Sequence, residues 1–481
     1  MQLAILISLL QRSAEVLFSI PKTCCAIFVF CAVTAIAQSN PVPLVYQPLI
    51  PASIEPGHAS FVVTLHGTGF VPGAVVFASG EPLDTTFISS SILKAKVPAT
   101  YVAKPKTGFV TVVNPGSIAS NVVFFPVRNP SATVQLRADS LFTAPSGAVA
   151  VGDFNNDGRL DIAVGRENDD GSGWAISVYS GNGDGTFQAS IETDLPEYEL
   201  VFGGMTTGDF NGDGLLDLAV YWYGGTDDGA VILLNNGDET FTQVPSYDGN
   251  FTAFADLNGD GKLDAIETDD TNVGYGAAVY LGNGDGTFTV ADILLNFINF
   301  SPSGMGVFGD FNGDGRLDLA MAGYELYPSG QAVAVFLQNG DGTFQSPGIY
   351  PVSYGGNLLL VADVNGDNKL DLITDACVLL GEGDGTFAQG SCRDVQGDLE
   401  SALGDFNGDG KLDLANLSRG QTLQISLGNG DGTFQAPISF SAGVNQPFFS
   451  YGPWLGDFNG DGKLDFVVGG VTPLLGLQVL K

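Results

Sequence analysis

Asp153-Phe154-Asn155-Asn156-Asp157-Gly158-Arg159-Leu160-Asp161 is the stretch that decides the fold, because its pattern of Asp, an apolar residue, Asn, Asp, Leu and Asp occurs seven times. The later copies begin at Asp209, Asp256, Asp310, Asp363, Asp405 and Asp457, at spacings of 56, 47, 54, 53, 42 and 52 residues. Each copy runs into an apolar segment typical of a strand. A repeat of about 40 to 55 residues built from short strands predicts a β-propeller.

Four strands, A to D, are predicted for each repeat. Strand A ends at the first Asp of the loop, as in residues 148–152, and strand B begins at the last Asp, as in 216–220. Strand C ends in a second, Gly-Asp-rich turn, as in 281–288, and strand D follows it. The sequence holds seven A-loop-B units but six C-D turns, and we expect residues 133–137 to supply the missing strand. The prediction is an all-β chain with a seven-bladed propeller over residues 132–481.

Calcium is the ion that the nine-residue loop suits, because Ca²⁺ takes six to eight oxygen ligands. Side chains at positions 1, 3, 5 and 9 and the backbone carbonyl at position 7 would supply most of them. Position 12 is apolar and a strand follows, unlike an EF-hand. The predicted ligands are Asp153, Asn155, Asp157, Arg159 and Asp161; Asp209, Asn211, Asp213, Leu215 and Asp217; Asp256, Asn258, Asp260, Lys262 and Asp264; Asp310, Asn312, Asp314, Arg316 and Asp318; Asp363, Asn365, Asp367, Lys369 and Asp371; Asp405, Asn407, Asp409, Lys411 and Asp413; Asp457, Asn459, Asp461, Lys463 and Asp465.

The repeats resemble the FG-GAP or VCBS repeats of integrin alpha chains and exported microbial proteins, over about residues 132–481. The resemblance implies up to seven structural Ca²⁺ ions in the loops and ligand binding on the opposite face, and it carries over no catalytic residue. Residues 41–128 lack the loop and read as short strands. Their Gly67-Thr68-Gly69-Phe70-Val71-Pro72-Gly73 segment resembles the immunoglobulin-like IPT/TIG family, which implies a separate β-sandwich with a modest interface to the propeller.

Export is predicted from the N-terminus, where a fourteen-residue apolar run from Cys24 ends in Ala35-Ile36-Ala37. Residues 1–37 read as a signal peptide cleaved after Ala37, with an uncleaved anchor or a wrongly assigned start as alternatives. The mature chain would keep Cys377 and Cys392, either as a disulfide across a hairpin or as two buried thiols. It would have no membrane span, and we expect a secreted or cell-surface monomer.

Binding partners are constrained by charge, because 53 acidic and 18 basic residues argue against nucleic acid. The loops that join B to C and D to A vary and hold Trp174, Trp222 and Trp454, with several tyrosines and acidic pairs nearby. These rings either bind a partner or cap the blade cores. The expected function is calcium-dependent recognition or adhesion of a glycan or extracellular protein. The alternative is a polysaccharide lyase or hydrolase, although both histidines, His58 and His66, precede the repeats.

Overall fold

The protein was analysed as a computed structural model. It describes residues 40–136, 138–139, 147–167, 173–195, 201–223, 229–245, 247–248, 251–269, 276–296, 300–326, 329–340, 342–352, 359–374, 376–392, 399–418, 422–441, 453–468 and 478–480. The chain divides into two units, residues 1–38 and 39–481. The predicted signal peptide lies outside the described residues. Every regular element within them is a β-strand, and they contain no helix able to cross a membrane.

Two four-stranded sheets form the N-terminal part of the chain. Their strands are β1 (Leu44–Val45), β2 (Phe61–Thr68), β3 (Val75–Ala78), β4 (Glu81–Pro82), β5 (Asp84–Ser89), β6 (Ile92–Val97), β7 (Lys106–Val113) and β8 (Val123–Val127). One sheet has the order β1-β2-β6-β5 and the other β4-β3-β7-β8. Alternate residues of both sheets, such as Leu65, Leu93 and Val112, join one buried apolar cluster. We call this pair of sheets the N-terminal sandwich.

The repeats fold into further antiparallel sheets. Their strands are β9 (Ala138–Asp139), β10 (Ala148–Gly152), β11 (Asp161–Glu167), β12 (Trp174–Tyr179), β13 (Ile191–Leu195), β14 (Val201–Gly208), β15 (Asp217–Tyr223), β16 (Gly229–Asn235), β17 (Phe241–Gln243), β18 (Tyr247–Asp248), β19 (Phe251–Ala255), β20 (Asp264–Asp269), β21 (Gly276–Gly282), β22 (Phe288–Asn296), β23 (Phe300–Gly309), β24 (Asp318–Leu326), β25 (Ser329–Phe336), β26 (Gly348–Pro351), β27 (Leu359–Ala362), β28 (Asp371–Thr374), β29 (Cys377–Gly381), β30 (Phe387–Cys392), β31 (Leu399–Gly404), β32 (Asp413–Ser418), β33 (Thr422–Ser426), β34 (Ile438–Ser441), β35 (Trp454–Gly456), β36 (Asp465–Val468) and β37 (Gln478–Leu480).

The sheets β10-β11-β12-β13, β14-β15-β16-β17, β19-β20-β21-β22, β23-β24-β25-β26, β27-β28-β29-β30 and β31-β32-β33-β34 follow chain order, and β18 also pairs with β16 in the second of them. The last sheet, β35-β36-β37-β9, takes its fourth strand from the start of the repeats. We number these sheets first to seventh, and each loop by its sheet. The nine-residue loop always joins the first strand to the second, as the sequence predicts.

Apolar side chains between neighbouring sheets form the core of the repeats. Ile176 and Val178 of the first sheet pack with Leu218 of the second in one buried cluster. Ile162 of the first sheet packs with Val467 of the seventh in another. The last sheet therefore lies beside the first.

The predicted pairing of an N-terminal segment with the last sheet is present, but through different residues. Ala138 pairs with Leu480 and Asp139 with Val479, directly after the predicted segment 133–137. Val134 and Leu136 of that segment instead pack against the apolar cluster around Phe406 and Phe466. The alternating apolar residues of segment 133–137 therefore pack on the core. The strand that pairs with the last sheet begins directly after them.

Hydrogen bonds join the N-terminal sandwich to several loops of the repeats, and the modest size expected of this interface stays a prediction. Val42 N donates to Asp256 Oδ2 over 2.8 Å, and Thr107 N donates to Asp457 Oδ2 over 2.7 Å. The Tyr46 hydroxyl accepts from Asp310 N over 2.8 Å. Backbone bonds also join Gln47 to Asp363. The sandwich therefore sits on the loop-bearing side of the repeat sheets.

A disulfide joins Cys377 in β29 to Cys392 in β30, which settles the alternatives for these two residues. The two cysteines are partners across the antiparallel pair, with their Cα atoms 4.1 Å apart. The bond links the third and fourth strands of the fifth sheet at the end of the hairpin away from its turn.

We predict that Ala138→Cys combined with Leu480→Cys gives an intramolecular disulfide, because directly opposed residues of antiparallel strands have Cα atoms within disulfide range. Peptide mapping by mass spectrometry under non-reducing conditions would detect it. The matched control combines Ala138→Cys with Gln478→Cys, a diagonal pair about 7 to 8 Å apart that should bond far less readily. Equal crosslinking of both pairs, or of neither, would contradict the register.

Candidate metal centre

Positions 1, 3 and 5 of each loop are held by the same backbone hydrogen bonds. In the fourth loop, Asp314 N donates to Asp310 Oδ1 over 3.0 Å and to Asn312 Oδ1 over 2.9 Å. Gly315 N donates to Asp310 Oδ2 over 2.8 Å. The corresponding bonds occur in the other six loops. Because one N–H serves the oxygens of positions 1 and 3 together, these two oxygens converge.

Position 6 has a left-handed backbone in all seven loops. Gly315 has φ of 83°, and Asn368, which replaces glycine in the fifth loop, has φ of 64°. Asparagine tolerates this conformation better than most residues with a side chain. The left-handed conformation at position 6 turns the chain, so that the backbone N–H groups of positions 5 and 6 point at the carboxylate of position 1.

The ninth-position aspartate is fully buried and closes the loop. Asp318 Oδ2 accepts from Phe311 N at position 2 over 3.0 Å, and Oδ1 accepts from Gln338 N beyond the third strand over 2.8 Å. The bond from position 2 occurs in all seven loops and the bond from the third-strand end in the first six. These carboxylates thus tie the loop to the sheet, and their role as cation ligands stays a prediction.

Burial dominates the electrostatics of the ninth-position carboxylates. It raises the pKa of Asp161, Asp217, Asp264 and Asp413 to about 7, although their backbone hydrogen bonds oppose the shift. The pKa of Asp371 is raised to about 6 for the same reason. Neighbouring first- and fifth-position carboxylates add repulsion of like charge. Without a bound cation, ionisation of the ninth-position carboxylates therefore lowers the stability of the folded state.

The fit of the loops to a cation is partial. Carboxylate and amide oxygens gathered in a short polar loop are the ligands that Ca²⁺ prefers. Positions 1, 3 and 5 supply such oxygens. Several first-position oxygens, such as Oδ1 of Asp209, Asp256 and Asp405, already accept two backbone N–H groups, which uses both of their lone pairs. Across the described ranges, however, no three His, Cys, Asp or Glu side chains are grouped to share one metal ion. The ninth-position carboxylate faces the sheet instead.

The second, Gly-Asp-rich turns have the bonding of hairpin turns. Asp285 Oδ1 accepts from both the backbone N–H and the hydroxyl of Thr287, and Asn283 Nδ2 donates to the same hydroxyl over 2.9 Å. The turns at Asp184, Asp238, Asp384 and Asp431 repeat the aspartate-threonine bonds. These contacts account for the conserved spacing of the turn residues without a cation.

Glu239 is a feature of the site that the sequence analysis missed. It replaces the second glycine of the turn and keeps a φ of 66°, a conformation that costs a non-glycine residue about 1 kcal/mol or more. Its side chain is buried, and Oε1 accepts from Asn155 Nδ2 in the first loop while Oε2 accepts from Ser180 Oγ, both over 2.7 Å. The replacement of glycine by glutamate in this turn was the sequence signal that could have identified this residue. The second sheet thus places an additional carboxylate against the first loop.

The FG-GAP-like repeat family matches residues 153–220, 256–321, 310–374 and 405–468, which together span just over half of the chain. The chain belongs to the FG-GAP-like repeat family. Each of the four matches begins at the first aspartate of a loop, so the family match and the hydrogen-bonded loop are the same unit. No curated protein matches the chain significantly.

Solved structures with similarity to this FG-GAP-like chain are distant. "Crystal structure of BBS1N in complex with ARL6DN, soaked with mercury" is 10% identical, with a TM-score of 0.45, and the match covers 73% of this chain and 97% of that chain. An auxiliary nutrient binding protein from Bacteroides ovatus is 10% identical, with a TM-score of 0.36 and coverage of 92% and 98%. The exotype rhamnogalacturonan lyase YesX is 16% identical, with a TM-score of 0.27 and coverage of 83% and 68%. These values are too low to transfer a function.

The aromatic residues expected opposite the loops divide into buried and accessible ones. Trp222 and Tyr221 are buried in the cores between sheets, which selects core packing from the two alternatives for these rings. Tyr324, near the end of β24 remote from its loop, is 43% exposed. Trp174 and Trp454 are partly buried. The side chains of Tyr223, Tyr275, Tyr327, Tyr354 and Tyr451 and most of the acidic pairs (Asp169-Asp170, Asp227-Asp228, Asp269-Asp270) lie outside the described residues.

We predict that the metal-free protein becomes more stable as the pH is lowered from 8 to 5.5. The folded-state pKa is about 7 for Asp161, Asp217, Asp264, Asp318 and Asp413 and about 6 for Asp371, above the value of about 3.9 in an unfolded chain. At a pH between the unfolded-state and folded-state pKa values, the folded state binds more protons than the unfolded state. The free energy of unfolding therefore falls as the pH rises towards 7. Thermal melts of exhaustively dialysed protein would measure this. A melting temperature that rises with pH over this range would contradict the shift.

Proposed function

We propose that this protein is an exported, calcium-stabilised recognition protein. In this proposal the repeat sheets form a seven-bladed FG-GAP propeller, the N-terminal sandwich is an IPT/TIG-like domain, and a glycan or extracellular protein binds the face opposite the loops. The observation that carries the proposal is the loop itself: seven copies hold their first, third and fifth side chains in one repeated arrangement. Calcium would bind these oxygens and neutralise buried negative charge when present.

Closure of the propeller is supported by contacts between the first and seventh sheets. Gly185 N of the first sheet donates to Phe458 O in the seventh loop over 2.8 Å. A Cβ atom on Gly456 would lie 2.6 Å from Leu160 Cδ1 of the first loop, so these two sheets pack closely. The same glycine-leucine contact joins the first and second sheets through Gly152 and Leu216. A common contact at both junctions favours a ring.

Export is supported by the disulfide between Cys377 and Cys392, since disulfides persist in oxidising compartments and are rare in the cytosol. The apolar N-terminal run and the Ala35-Ile36-Ala37 site in the sequence point in the same direction. A cell-surface or secreted location would also provide millimolar calcium, the range that extracellular calcium modules use.

Recognition through the face opposite the loops is supported by the position of the N-terminal sandwich. Its bonds to Asp256, Asp310 and Asp457 occupy the loop-bearing side. The strand ends on the other side carry the exposed ring of Tyr324. Exposed aromatic rings are frequent anchors in binding sites for proteins and sugars. Adhesion to a surface glycan or protein is the form of recognition that we propose.

We predict that calcium raises the melting temperature, because a ligand that binds only the folded state stabilises it by roughly 2.7 kcal/mol per site at a hundredfold excess over its dissociation constant. Native mass spectrometry should count up to seven ions, and Asp310→Asn with Asp314→Asn should remove one. The control is Glu81→Gln with Asp84→Asn, which removes two exposed sandwich carboxylates. Identical melts in chelator and in millimolar calcium, or an unchanged ion count in the loop variant, would contradict the proposal.

We predict that Tyr324→Ala weakens binding at least about tenfold, the usual effect of removing an aromatic anchor. Arrays of oligosaccharides and extracellular proteins, probed with the full chain in calcium, would first identify a binder. Titration calorimetry would then compare the variant with Val290→Ala, a change of an exposed apolar residue on a fourth strand. Equal losses in both variants would reject the proposed face. Turnover of an arrayed polysaccharide would favour the alternative of a lyase or hydrolase.

A further inference from the structure

The carbonyl at position 2 of each loop accepts a hydrogen bond from a neighbouring part of the chain. For five loops the donor belongs to the next sheet in the chain, at the end of its third strand or in the following turn. The pairs are Phe154 with Asn235 Nδ2, Phe210 with Gly286 N, Leu257 with Gln338 Nε2, Phe311 with Gly385 N, and Val364 with Gly432 N. Phe458 of the seventh loop accepts from Gly185 N of the first sheet.

At the sixth loop, the position-2 carbonyl accepts its hydrogen bond from a different part of the chain. The neighbour of this loop is the seventh sheet, in which β37 pairs with β9 from the N-terminal side of the repeats. Because β37 and β9 are not consecutive in the chain, no hairpin turn connects the third and fourth strands of this sheet. A cavity of about 410 Å³, lined by residues that include Ser131, Leu136 and Asp461, lies at this junction.

Arg128 occupies the donor position at the sixth loop. Its Nη1 atom donates to Phe406 O over 3.0 Å, and only 9% of the residue is exposed. A Cβ atom on Gly408 would lie 2.8 Å from the Arg128 side chain, so the stem packs directly on the loop. The backbone of Arg128 belongs to the sandwich, because its N–H donates to Ile54 O over 2.8 Å.

The charge of Arg128 suits this position. Burial lowers the pKa of Arg128, and the carboxylates of Asp405, Asp413, Asp457 and Asp461 oppose this shift. Next to it, Ser131 N donates to Asn407 O over 2.7 Å, which holds the chain leaving the sandwich against the same loop. A charged donor to a buried carbonyl makes a stronger bond than a neutral one.

We propose that the loop-bearing face is the docking surface of this chain's own N-terminal sandwich, and that Arg128 closes the ring between the sixth and seventh sheets. This proposal rests on the seven-bladed arrangement given under the proposed function. The sandwich is then an integral part of the propeller, and a second macromolecule is restricted to the opposite face. Removal of the sandwich would weaken the ring at this junction, where the apolar cluster around Phe406 and Phe466 would remain.

The test is hydrogen exchange of the full chain in saturating calcium with Arg128→Met, which keeps the stem and removes the donor. We expect exchange to accelerate roughly tenfold or more at the amides of β32 and β36, the loss that follows from one buried bond to a charged donor. Amides of β20 and β24, remote from the junction, should be unchanged. Lys96→Met, which removes an exposed sandwich cation, is the control.

Arg128→Lys provides a second, milder variant if Arg128→Met does not fold. It keeps the charge but loses the planar donor, and its acceleration should be confined to the same amides and be smaller. Unchanged exchange at β32 and β36, or equal acceleration in every repeat sheet, would overturn the proposal in either variant. No glycan or protein ligand enters this measurement, so a failure to find such a partner would leave its outcome intact.

Discussion

The buried carboxylate at the ninth loop position is the interaction on which the rest of the structure depends. It is the first residue of the second strand, and in the fourth repeat its two oxygens accept from position 2 of the loop and from the end of the third strand. One side chain therefore fixes the loop, the second strand and the third strand relative to one another. An asparagine could accept at only one of these positions with its oxygen, and its amide would face a donor at the other. The requirement for two acceptor oxygens explains an aspartate at a fully buried position.

Packing between sheets depends on the same loops. Position 2 offers its carbonyl to the neighbouring sheet, and position 8 places a leucine against the residue before the neighbouring loop, as Leu216 does against Gly152. Each loop thus organises its own sheet through position 9, joins the next sheet through position 2 and joins the preceding sheet through position 8. A repeat protein in which every unit contacts only its neighbours needs such a junction at each step. At the one step where the turn is missing, Arg128 supplies the donor.

The loops, their strands and the disulfide could be predicted from the sequence because their signals are local. Aspartates at fixed spacing, glycine at position 6 and two cysteines flanking a hairpin turn all act within a few residues. The contacts that were missed join residues far apart in the chain, such as Thr107 with Asp457 and Arg128 with Phe406. Nothing in the local pattern around Arg128 distinguishes it from an exposed basic residue. The burial of Trp222 could not be decided from the sequence, because an aromatic residue near a strand end fits a core and a binding surface equally well.

Near-identical loop sequences do not give equivalent sites, because the neighbours of each loop differ in charge. Glu239 adds a buried carboxylate to the first loop, whereas Arg128 brings a guanidinium to the sixth. In the third and seventh loops, the carboxylate of position 1 accepts an N–H group from the N-terminal sandwich. A cation in the first loop would gain attraction from Glu239, and one in the sixth would meet repulsion from Arg128. The repeat therefore sets the geometry of every loop, while its contacts outside the repeat set how strongly each loop would hold a positive charge.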